Sequence, residues 1–183
     1  MKTQKKMYSD YSSRLQYWDY SKPGFYFVTM VIRGRKRCFG EIRNGQMHLS
    51  PLGEFAEQSW KNTASLRPGM NIRLDAFAVM PDHFHALLFI GHNEYNTPIE
   101  SPYEMSSEKA MEELMRPKNG FRSQSNNLAS IVRGFKASVT TEARRLEIPF
   151  EWVSRYHDSI IRTVGDLHAV RSYILTNAQR WKE

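Results

Sequence analysis

A single cysteine, Cys38, among 183 residues excludes an internal disulfide and any zinc site built on several thiolates, and suits a reducing compartment. Long apolar runs are missing too. Nothing approaches the roughly 20 residues that a membrane-spanning helix needs. The basic N-terminus, MKTQKKMYSDYSSRLQYWDY, continues into polar and aromatic residues, not into the apolar core of an export signal. The expectation is therefore a soluble, cytoplasmic protein without membrane contact. Acidic residues are scarce relative to basic ones, 19 against 26, and the resulting formal charge of +7 favours phosphate polyanions or anionic surfaces as partners. There is no internal repeat, no low-complexity tract and no Gly-rich loop of the nucleotide-hydrolase type.

What the chain does contain is enough for one domain with a substantial core. Residues 1–22 read as a loosely ordered lead-in that ends at the Lys22-Pro23-Gly24 turn, and residues 23–183 as the domain proper. Phe25 to Ile32 (FYFVTMVI) is aromatic and β-branched, as a central strand should be, and runs into the basic cluster Arg33-Gly34-Arg35-Lys36-Arg37. Asn44-Gly45 between two short alternating segments predicts a hairpin with a type I′ turn. Ser50 as N-cap and Pro51 at the first helical position open a helix whose apolar spacing predicts an end near Leu66. NIRLDAFAVM and HFHALLFI, joined by Pro81-Asp82, predict two antiparallel strands.

Residues of about 92–125 lose all periodicity and read as a partly disordered surface insertion, with one short helical turn around Glu108 to Met115. Leu128, Ile131, Val132, Phe135, Val139, Ala143 and Leu146 then mark the inner face of a long helix whose outer positions include Arg133, Lys136, Arg144 and Arg145. Phe150 to Arg162 predicts a strand or extended segment. Gly165-Asp166 opens a last helix with Leu167, Val170 and Ile174 inward. This element order predicts an α+β fold, helices packed on one antiparallel sheet.

The residues with most chemical potential are His83 and His85. Strand side chains alternate, so the two imidazoles share a face and can grip one metal ion; equally, each can be a structural imidazole with its own hydrogen-bond partner. Their position at the start of a strand, after a Pro-Asp turn, puts them at the sheet's rim. Asp82 is either an acceptor that fixes one imidazole or a plain turn residue. On the last helix Tyr173 and Asn177, four apart, lie on one face. The tyrosine either presents its hydroxyl to a site or packs its ring and shows the hydroxyl to water, and the asparagine reads most simply as a C-terminal cap.

MPDHFHALLFI resembles the His-hydrophobic-His motif of the HUH single-tyrosine transposases, and RYHDSIIRTVGDLHAVRSYILTNAQRW resembles the C-terminal signature of their REP-associated, IS200-like branch. YSKPGFYFVTMVIRGRKRCFGEI and LASIVRGFKASVTTEARR look like further parts of the same pattern, in the same order. The resemblance covers most of the chain except the first residues and the insertion. It implies a ferredoxin-like two-layer sandwich, with His83 and His85 as metal ligands, Tyr173 as nucleophile and Asn177 as a third, amide-bearing ligand. One departure concerns Asn177: the signature usually continues with Pro, and this chain has Ala178. The implied cofactor is a divalent ion, Mg²⁺ or Mn²⁺. The implied activity is cleavage and rejoining of single-stranded DNA near hairpins through a 5′-phosphotyrosine link.

A metal at the histidines would polarise the scissile phosphate for attack by a phenol that is otherwise a poor nucleophile at neutral pH. Arg33, Arg35, Lys36, Arg37, Arg133 and Lys136 are candidates to track a phosphate backbone, and Tyr11, Tyr17, Trp18 and Tyr20 to stack bases; each singly is also explained as solvated face or core. Two other readings compete: a non-catalytic DNA-binding protein on the same scaffold, and an unrelated hydrolase acting through metal-bound water, for which Tyr173 would be dispensable. Phosphoesterases with two His-x-Ser/Thr motifs are excluded. Monomer and homodimer are equally open.

Overall fold

The computed structural model describes residues 18–96 and 125–181. β1 (Gly24–Val31), β4 (Ile72–Met80), β5 (His83–Ile90) and β6 (His157–Ile161) form one sheet in the order β4-β5-β1-β6, and every neighbouring pair is antiparallel. Helix α1 (Pro51–Lys61) links β1 to β4, and α2 (Leu128–Arg145) links β5 to β6. That path, β-α-β-β-α-β with the third strand slotted between the first two, is the ferredoxin-like topology expected from the sequence. A last helix, α3 (Val164–Leu175), follows β6. Among the described residues no helix is long and apolar enough to cross a membrane.

Alternation along the central strands sorts two faces. Tyr26, Val28, Met30 and Ile32 from the β1 side, with Phe84, Ala86, Leu88 and Ile90 of β5, are wholly buried on one of them. There Trp60 of α1 packs on Phe84 and, edge-on, on Phe135 of α2, ring centroids 5.5 and 5.2 Å apart. This is the main core. Its helices start as the sequence requires: the Ser50 hydroxyl accepts from Gly53 N–H, and Asn127 and Ser130 form a reciprocal capping box. The opposite face carries His83, His85, Leu87 and Phe89, and among the described residues α3 and the turn that follows it, with Trp181 over His83, lie against it.

The hairpin of β2 (Gly40–Arg43) and β3 (Gln46–Leu49) turns through Asn44 and Gly45 with φ of 52° and 71°, both positive as a type I′ turn demands. Helix α1 is shorter than predicted. It stops at Lys61, where the Thr63 hydroxyl donates to the Ser59 carbonyl and Ser65 to that of Asn62, and residues 62–66 continue as turns. Of the segment Phe150 to Arg162, only His157–Ile161 pairs as a strand, with a separate bridge between Ile32 and Trp152. On α3 only Ile174 is buried; Leu167 and Val170, expected to face a core, are half-covered because this helix lies on the sheet as a thin outer layer.

The tail of the expected lead-in, Trp18 to Lys22, packs: Tyr20 is buried and its carbonyl accepts from Leu128 N–H. Residues 1–17 of the lead-in lie outside the described residues. So do 97–124 of the predicted insertion, including its helical turn.

Candidate active site

His83 and His85 open β5 directly after the Pro81-Asp82 turn, and both are buried. Each imidazole is tied at its outer nitrogen. His83 Nδ1 lies 2.6 Å from Asp82 Oδ1, whose other oxygen is 3.5 Å from the Arg35 guanidinium. Across the sheet Thr29 pairs with His85, and its hydroxyl lies 2.8 Å from His85 Nδ1. The inner nitrogens converge, Nε2 to Nε2, at 3.0 Å. Aromatic rings hold the pair: Phe27 stacks on His85 at 5.4 Å, and Trp181 on His83 at 5.8 Å.

Two proton arrangements satisfy this geometry. In the first, the Thr29 hydroxyl donates to His85 Nδ1 and the His85 Nε2–H donates to His83. In the second, both Nδ1–H groups point outward, to Asp82 and Thr29, and two bare lone pairs face each other, which only a cation can reconcile. A proton is an unfavourable candidate for that role. Burial pushes the His83 pKa down against the pull of Asp82, and burial together with the neighbouring His83 and Arg35 lowers that of His85 to about 3. A divalent metal fits better, since two bonds of about 2.1 Å at a right angle place their nitrogens about 3.0 Å apart. Among the described residues no third His, Cys, Asp or Glu completes a cluster around the pair.

Tyr173 reaches the same point from α3. Its hydroxyl is 3.3 Å from His85 Nε2, its ring meets Phe27 edge-on at 6.2 Å, and 40% of the residue is exposed, so the side chain borders solvent. Asn177, one turn further on, is buried at the helix end. After it, Ala178–Arg180 forms a single 3-10 turn that carries Trp181 back over His83. The structure thus brings Tyr173 together with His83 and His85 across some ninety residues of chain.

The basic residues fall into two groups. Arg33, Arg35, Lys36 and Arg37 occupy the exposed turn after β1, at the histidine end of the sheet, where Val31 pairs with His83. Arg33 pairs with Glu151 at 3.0 Å. The second group lines a groove of about 680 Å³ along α2, with Arg133, Lys136, Thr140 and Arg144 on one side and Trp152, Ser154 and Tyr156 on the other. There the Lys136 ammonium donates to the Val153 and Ser154 carbonyls, sits over Trp152, and burial lowers its pKa to about 8, so one of its three N–H groups is left for a phosphate. Arg133 and Arg144, eleven residues apart, project from nearly the same side of the helix.

Sequence reading missed three contributors. Thr29 was visible as the one threonine in a strand otherwise made of apolar and aromatic residues, but its partner depends on register. Trp181 needed the 3-10 turn. The third is an ion pair from Arg171 on α3 to Asp75 on β4, with Arg171 Nε and Nη2 donating at 2.8 and 2.6 Å.

No family model matches the chain. An uncharacterized protein of Haemophilus influenzae is 32% identical over 176 residues, spanning 94% of this chain and 89% of its relative. Among solved structures, the REP-associated tyrosine transposase bound to a REP hairpin is similar with a TM-score of 0.56, covering 94% of this chain and 73% of that one at 16% identity. That likeness is one of fold.

Proposed function

The chain belongs to one family with the Haemophilus influenzae protein and has the fold of the REP-associated tyrosine transposase, and we propose that it cuts and rejoins single-stranded DNA through Tyr173. The observation that carries this reading is the tyrosine hydroxyl 3.3 Å from one of two imidazoles whose inner nitrogens converge. A structural histidine pair has no need of a solvent-bordering phenol at the same point.

His83 and His85, with Asn177 as the amide ligand, would hold Mg²⁺ or Mn²⁺, which supplies charge neutralisation and polarisation at a scissile phosphate. Asp82 accepts from His83 Nδ1–H and the Thr29 hydroxyl is placed to accept from His85 Nδ1–H, the tautomers in which both Nε2 atoms are bare for a metal. Burial keeps them unprotonated at neutral pH, so ligation displaces no proton. Phe27 and Trp181 wall the pair against water on the flanks. The Tyr173 oxygen forms a bond to phosphorus as the bond from phosphorus to the 3′-oxygen breaks; the phenolic proton leaves to solvent and the departing oxygen takes one up. The 5′-phosphotyrosine keeps the energy of the broken bond. A second 3′-hydroxyl reverses the step and joins a different strand.

Substrate binding draws on the same end of the sheet. Arg35, Lys36 and Arg37 stand beside the histidines to receive the strand being cut, and Arg133 and Arg144 give the α2 groove its charge toward flanking DNA. A hairpin is the natural flanking element, since the similar transposase is bound to one. The test is incubation with hairpin-flanked single-stranded DNA and Mn²⁺, followed by denaturing electrophoresis. Wild type should give a covalent protein–DNA band that Tyr173→Phe lacks. Equal bands from both proteins would contradict the proposal.

A further inference from the structure

Helix α3 carries Tyr173 yet is poorly fixed by apolar burial. Ile174 alone among its side chains is buried, while Val164 and Leu175 are 70% and 72% exposed. One fully buried side chain, with Leu167 and Val170 only half-covered on the same face, is a pivot: it holds the helix down but resists a roll about the helix axis weakly. At 100° per residue, Arg171 stands about 60° to one side of Ile174 and Tyr173 about 100° to the other. The two therefore flank the pivot, and whatever anchors Arg171 fixes the angle at which Tyr173 meets the sheet.

That anchor is Asp75. It accepts both donors of the Arg171 guanidinium in a fork geometry, and the pairing holds its carboxyl below the usual carboxylate range. Strand β4 makes a special provision for it. Leu74 pairs with Leu88 but Phe77 with Ala86, so Asp75 and Ala76 together oppose Leu87 in a β-bulge. Without the extra residue, strict alternation would turn either Asp75 or the pair Phe77 and Val79 to the wrong face. The bulge lets Asp75 point toward α3 while Phe77 still stacks on Phe84 in the core.

We infer that Asp75 and Arg171 are positioning residues for Tyr173, a two-point lock that sets the roll of α3 and with it the place of the nucleophile beside His85. The inference rests on the proposed role of Tyr173. Its leverage is large: a tyrosine oxygen stands about 9 Å from its helix axis, so a roll of about 20° moves it about 3 Å. Displacements of about 1 Å at a reacting atom can cost about a hundredfold in rate.

The test uses the full-length protein with hairpin-flanked single-stranded DNA and Mn²⁺. D75A should form the covalent adduct about 30- to 100-fold more slowly at saturating DNA, with affinities for DNA and Mn²⁺ within about twofold of wild type. The charge-swapped D75R/R171D should recover at least about tenfold of that loss, which it would not do if Arg171 served by touching DNA. An adduct rate in D75A within twofold of wild type overturns the lock, as does a folded swap variant no faster than D75A. Amide hydrogen exchange across Val164–Leu175 reads the lock without chemistry. Faster exchange there in D75A, with β1 and β5 unchanged, is expected; unchanged exchange overturns it. A wild type that forms no adduct while D75A still loosens α3 would defeat the nuclease reading and leave the lock standing.

Discussion

Acid should weaken this fold through the histidine pair well before its carboxylates titrate. His85 stays neutral in the folded protein down to about pH 3, whereas an unfolded imidazole protonates near 6.5. Between those values the unfolded chain holds one more proton, so unfolding takes up a proton and stability falls as pH falls. The contribution is complete above pH 6.5 and is lost progressively toward 3. At pH 4.5 it amounts to about 3 kcal/mol, at about 1.4 kcal/mol per pH unit. The lowered pKa of His83 acts in the same direction. For a chain of this size, such a loss lowers the melting temperature by about 5–10 °C. The assay is thermal unfolding in metal-free buffer between pH 7.5 and 4.5, with His85→Asn as control. Wild type should melt progressively lower with acid while the variant is flatter. A wild-type curve without slope, or a variant parallel to it, would refute the assignment of two buried neutral imidazoles.

Other expectations test separate parts. Thr29→Val keeps the shape of the side chain but leaves His85 Nδ1 without its partner, and should weaken Mn²⁺ binding by about 10- to 100-fold in a direct titration; unchanged affinity would mean that the hydroxyl does not orient the ligand. Replacing Arg133 and Arg144 by Ala should lower the affinity for hairpin-flanked DNA and reduce the log–log salt slope by about 2, one per lost phosphate contact, which titrations at several salt concentrations would measure. Trp60→Ala empties the middle of the core beneath the sheet and should cost about 3–5 kcal/mol in urea unfolding. A loss below about 1 kcal/mol would place the core elsewhere.

Period and turn chemistry carried most of the fold in readable form. Asn44-Gly45, Ser50-Pro51 and the two-residue alternation through His83-Phe84-His85 each act through local geometry, so their outcomes follow from neighbours in sequence. The same holds for Tyr173 and Asn177, one turn apart. What stayed hidden depends on register between distant segments. Thr29 matters because β1 pairs with β5 in a register that sets it opposite His85. Asp75 matters because a bulge changes the phase of β4; the trace was there, since Ile72 and Leu74 alternate on even positions and Phe77 and Val79 on odd ones. Helix α1 ends early, where hydroxyls bond carbonyls at its end, which apolar spacing does not register. Leu167 and Val170 misled because helical periodicity reports an apolar face without saying how deep a layer it meets.

The central claim is that Tyr173 becomes covalently joined to DNA beside His83 and His85. Its most direct measurement is mass spectrometry of the trapped adduct after exhaustive nuclease and protease digestion. The account predicts one modified peptide, bearing a 5′-phosphodeoxynucleotide on Tyr173, formed only with a divalent metal and absent from a His83→Ala/His85→Ala protein. A nucleotide on any other side chain, or on Tyr173 in undiminished yield without the two histidines, would contradict it.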